Sequence, residues 1–205
     1  AQKELIGPAV LGVLSPILAA HYLSHANIPL IAWHPDMING GKEINAMTCT
    51  VDIYSTVLDA LGSMAPSGPH GRSILPLLAG EKGHRDIAYW GTFGEGICCT
   101  DGEHVLLQGA GKKRPLNWYS ATMLGNCTNA KSGKFIPGVD CPVWQQPAAS
   151  FCEMPSIFYR RDDPLFHERN ILDEQPEAVA KLRKRLRDKI TADGCPPEQF
   201  DRLGL

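Results

Sequence analysis

The chain has 205 residues, a formal net charge of −2 and a hydrophobic share of 43%. That balance belongs to a folded globular chain and excludes a disordered charged arm. Without a basic excess, no nucleic-acid partner is expected.

Residues 5–27, "LIGPAVLGVLSPILAAHYLSHAN", carry no formal charge with histidine taken as neutral. The length would suit a membrane span or a secretory apolar region. Gly7, Pro8, Gly12 and Pro16 interrupt the run, and His21 and His25 follow it without a cleavage site or a basic flank. A buried segment is therefore expected, with a membrane or signal segment and a remnant cut from a longer chain as the alternatives.

"IPLIAW", residues 28–33, is a continuously apolar run closed by His34 and Pro35, the pattern of a strand covered on both faces. The Gly40-Gly41 pair then marks a tight reversal. A helix is expected over residues 50–61. Thr50 would cap it, Asp52 would sit in its first turn, and Val51, Tyr54, Val57, Leu58 and Leu61 would recur at helical spacing before Gly62 stops it. "SILPLLAG", broken by Pro76, predicts a packed turn or a short helix.

From Asp86 the texture changes. "DIAYWG", "GICCTDG" and "HVLLQG" read as an antiparallel meander, and the Asp101-Gly102 pair suits a type I′ hairpin. Residues 109–155 show no sustained period and predict a long loop or insertion, with local order around Trp118-Tyr119 and Trp144. "SIFYRR" supplies one more strand. "PEAVAKLRKRLRDKI" is the best helix, with Pro176 in its first turn, an apolar stripe of Val179, Leu182, Leu186 and Ile190, and Gly194 as its stop. Its basic residues are expected to form a solvated face, not an anion site.

The expected architecture is an α/β fragment over residues 1–80, followed by a small α+β domain over residues 81–205. That domain would hold about four antiparallel strands, with the C-terminal helix packed on one face.

The seven cysteines form no C-x-x-C pair, which argues against a zinc ribbon. A disulfide among Cys127, Cys141 and Cys152 and free thiols at those positions both remain open. His21, His25 and His34 lie close in sequence but lack a visible further ligand, so no metal is expected. No catalytic residue is assigned. His21, His25, Trp90 and His104 are candidates for a substrate-facing rim, with Trp118 and Tyr119 as aromatic neighbours. Ordinary packing of a small sheet is the competing reading for the aromatic residues.

In this order the segments resemble the C-terminal part of the sulfatase family, within the alkaline-phosphatase-like superfamily. Val51-Asp52-Ile53, Thr56, Leu58 and Leu61-Gly62 match its "VD-[IL]-x-P-T-[IL]-L-x-x-[AL]-G" helix, with Ser55 where proline is common. Gly71, Ser73, Leu75-Pro76-Leu77-Leu78, Gly80 and Arg85-Asp86 match "G-x-S-L-x-P-L-L-x-G … R-D". "ICCTDGEHVLLQ" is similar to the family's late strand pair, and Asp163-Pro164, Glu168 and Asn170 to its final turn. The resemblance implies a sulfuric ester hydrolase that uses formylglycine and calcium, in an extracytoplasmic compartment. The sequence departs from it where the chemistry should lie. It contains no C/S-x-P-x-R, Cys141-Pro142 and Cys195-Pro196 have the wrong order, and residues 11–27 hold neither Asp nor Lys. The chain by itself is therefore expected to need no cofactor and to be inactive. Its expected partner is a missing N-terminal catalytic portion or a second copy. A non-catalytic binding or oligomerisation module is the alternative, and a small hydrolase built on the histidines a weaker one.

Overall fold

A computed structural model describes residues 30–32, 41–63, 70–91, 95–111, 116–122, 129–136, 140–148, 153–163 and 169–205. The chain divides into two compact units, Ala1–Ala88 and Tyr89–Leu205.

In the first unit, helix α1 spans Asp52–Ala60 and the short helix α2 spans Leu75–Leu78. The expected capping by Thr50 does not occur: Val51 is the N-cap residue, without a side-chain cap bond. Asp52 satisfies the helix entry instead, because its carboxylate reaches back to accept the Cys49 N–H at 2.8 Å. This is a local side-chain-to-backbone bond across three residues. Gly62 ends α1 at φ +68. Its N–H donates to the Asp59 carbonyl and the Ser63 N–H to that of Leu58, the paired bonds of a Schellman stop. The strand expected over residues 28–33 is not formed at the described Leu30–Ala32, which are irregular and exposed. Among the described residues the run has no ladder partner, and the period of a sequence cannot supply one.

The second unit contains a four-stranded antiparallel sheet in the order β1-β2-β3-β7, formed by β1 (Ala88–Gly91), β2 (Ile97–Thr100), β3 (His104–Gln108) and β7 (Ile157–Arg160). Cys99 stands opposite Leu106, and Leu106 opposite Phe158, so these three side chains share one row. All three are fully buried. The C-terminal helix α3 (Pro176–Ala192) lies on that face. Its stripe of Val179, Leu182, Leu186 and Ile190 is buried as the 3.6-residue period predicts. Arg183 donates to the Gln108 side chain at 2.8 Å, and Tyr89 to Asp193 at 2.7 Å. The outer edge of β7 is closed locally. The Asn170 side chain accepts the Phe158 N–H at 3.0 Å, and the Ile171 N–H donates to the Phe158 carbonyl. Capping of this kind removes a template for edge-to-edge pairing.

The hairpin between β2 and β3 is present, but its turn is not type I′. That type needs positive φ at both central residues, and among the described residues only glycines, here Gly102, have it. Asp101 builds the turn by accepting the N–H groups of Glu103 and His104 at 3.1 and 2.9 Å.

The long loop expected over residues 109–155 contains a second sheet. β4 (Asn117–Ser120), β5 (Lys131–Gly133) and β6 (Val143–Pro147) pair antiparallel in the order β4-β6-β5. Strands of three to five residues carry too few alternations to show a period. Helix α4 (Pro197–Leu203) closes the chain. Its buried Arg202 donates to the Glu95 carbonyl at 2.7 Å and to Gln199 at 2.8 Å.

Candidate functional site

Among the described residues of the first unit, the densest polar cluster surrounds Asp52. Its side chain is 1% exposed, beside His84 at 6% and Arg85 at 7%. One carboxylate oxygen accepts the Arg72 N–H at 2.8 Å and a terminal nitrogen of Arg85. The other accepts the Cys49 N–H at 2.8 Å and Arg85 Nε at 3.1 Å, and lies 3.0 Å from His84 Nε2. Three stretches of chain thus meet on one acid: the entry to α1, the strip around Gly71-Arg72, and His84-Arg85. The strips are locked further by Arg72 donating to the His84 carbonyl at 2.8 Å and Arg85 to the His70 carbonyl at 3.2 Å. Thr56, one turn on, donates to the Asp52 carbonyl at 2.6 Å and accepts the Ile74 N–H at 3.0 Å. Gly71 fits because it has no side chain. A Cβ there would stand 2.1 Å from the Val51 carbonyl oxygen and 2.8 Å from Ser55 Oγ.

Burial pushes the Asp52 carboxyl upward in pKa. The hydrogen bonds from Arg85, from the Arg72 and Cys49 N–H groups and from His84 outweigh it, so the group is held below its ordinary value. With about four lone-pair sites and this set of donors around them, the carboxylate has no capacity left for a metal or a substrate proton. Its neighbours, a guanidinium and an imidazole, are wrong for calcium, which takes six to eight oxygen ligands. Among the described residues no three His, Cys, Asp or Glu side chains gather as a metal site. The cluster is therefore a clamp, and the calcium that the resemblance implies does not fit it. Formylglycine does not fit either, for want of its motif.

His21 and His25 lie outside the described residues. Trp90 on β1 and His104 on β3 are both in the four-stranded sheet, but on opposite faces. His104 is on the face covered by α3, stacked on Phe158 with ring centroids 5.1 Å apart. Tyr89 faces α3 through Asp193, so strand alternation turns its neighbour Trp90 the other way. Trp118 and Tyr119 belong to the second sheet. Trp118 is exposed. The Tyr119 hydroxyl donates to Glu198, which also accepts from Asn117 at 3.1 Å. Among the described rim candidates, Trp90 and His104 thus lie on opposite faces of one sheet, and Trp118 and Tyr119 lie in the other.

Burial disfavours the thiolate at three cysteines of the second unit. Burial pushes Cys98 and Cys99 up to about 12 each, and burial also raises Cys195. Cys141 is a free, exposed thiol, whereas Cys127 and Cys152 lie outside the described residues. The basic run of α3 is engaged within the unit. Arg183 meets Gln108, Arg185 meets Asp101, Lys184 meets Asp188, and Arg187 lies over the Phe200 ring.

The sequence marked Asp52 as a first-turn acid but gave no sign that it is buried, nor that His84 reaches it from 32 residues away. Arg85 was visible only through the resemblance. No helix among the described residues is long and apolar enough to cross a membrane. Comparison with protein-family models and with curated proteins finds no match for the chain.

Proposed function

We propose that the chain is the C-terminal part of a sulfatase-like sulfuric ester hydrolase. In this reading it supplies scaffold and one wall of the substrate cleft, while the nucleophile and the calcium site reside in an N-terminal catalytic portion. One observation carries the proposal. Asp52 and Thr56 come from one motif of the resemblance, Gly71 and Arg85 from another, and all four meet in a single buried clamp. Chance matches at separate places in a chain have no reason to converge. The coding sequence upstream of Ala1 tests the idea. An in-frame C/S-x-P-x-R motif with acidic calcium ligands supports it, and initiation at or near Ala1 refutes it. The purified chain is expected to show no calcium-dependent turnover of an aryl sulfate. Steady turnover abolished by a chelator, in a preparation free of host sulfatase, would overturn the scaffold role.

A second reading, a non-catalytic oligomerisation module, is favoured by the outer face of α1. Val51, Tyr54, Val57 and Leu61 are exposed there. Bare apolar faces of this kind mark interaction surfaces. Sedimentation equilibrium separates the readings: a discrete dimer supports the module, and a monomer counts against it.

A further inference from the structure

We draw no further inference here: the strongest candidate, the exposed apolar face of α1 formed by Val51, Tyr54, Val57 and Leu61, belongs to the surface already described, and nothing in the structure shows what covers it.

Discussion

Replacing Asp52 with Asn preserves the volume of the side chain and removes its charge, so the clamp can be tested without opening a cavity. An amide has one accepting oxygen and one donating nitrogen. The nitrogen would face donors that now point at a carboxylate oxygen: Arg72 N–H and Arg85 on one side, or Cys49 N–H, His84 and Arg85 on the other. One backbone N–H is then left without a partner, at a cost of about 1–3 kcal/mol. The buried Arg85–Asp52 pair is also broken, and breaking a buried pair costs about 3–5 kcal/mol in total. These effects overlap, so Asp52→Asn is expected to destabilise the protein by roughly 3–5 kcal/mol, a fall in melting temperature of about 6–20 °C for a chain of this size. Thermal unfolding followed by circular dichroism reads it directly. The dependence on pH adds an internal check. A carboxyl held below its ordinary value contributes stability that is complete above its unfolded value of about 3.9 and declines as pH falls through the folded value. The gap between wild type and variant should therefore be full at neutral pH and narrow below about pH 4. A variant that melts within 2 °C of wild type at pH 7, with calibration error of about that size, would refute the clamp as a source of stability.

Three further outcomes follow from separate parts of the structure. Gly71→Ala should destabilise by about 1–3 kcal/mol, because the new Cβ meets the backbone oxygen of Val51, which cannot swing aside. Gly41→Ala, in open space at φ +73, should cost only the left-handed strain of about 1–2 kcal/mol, read as a shift in urea midpoint. Leu186→Ala empties a fully buried position on α3 and should cost about 2–5 kcal/mol by the same measurement. In the native protein at pH 8, alkylation mapped by peptide mass should find Cys141 modified and Cys98 and Cys99 spared until denaturant is added. Equal modification of all three would mean the sheet is open.

Elements whose signal is local were legible in the sequence, and elements that depend on distant partners were not. The stripe of α3 repeats through Val179, Leu182, Leu186 and Ile190, long enough for the period to declare both the helix and its inner face. The strands β2, β3 and β7 carry apolar runs between turn residues, and Asp101-Gly102 announces their first hairpin, although the turn geometry differs. Of the second sheet, the local order expected around Trp118-Tyr119 and Trp144 falls in β4 and β6, but their pairing was hidden because β5 is Lys-Ser-Gly, a strand only by virtue of its partner β6. The clamp was hidden for the same reason. Nothing local distinguishes an exposed first-turn aspartate from one that collects donors from residues 72, 84 and 85.

Helix α1 shows where periodicity stops being informative. Its apolar residues lie on one side, as the pattern requires, yet that is the side it exposes. Asp52 and Ser55, on the opposite side, are the residues it buries. Hydropathy alone would orient the helix the other way, since burying a leucine or valine side chain yields about 1.5–3 kcal/mol and burying a carboxylate is costly. The orientation holds because the carboxylate is not buried alone: its donors are fixed backbone N–H groups and a guanidinium, and charge-assisted bonds of this kind are about twice as strong as neutral ones. An apolar stripe therefore identifies a surface that gains by being covered, and the polar network on the other side decides which neighbour the helix meets first. In α1 that neighbour is the strip from Gly71 to Arg72 together with Arg85, and the apolar stripe is left exposed.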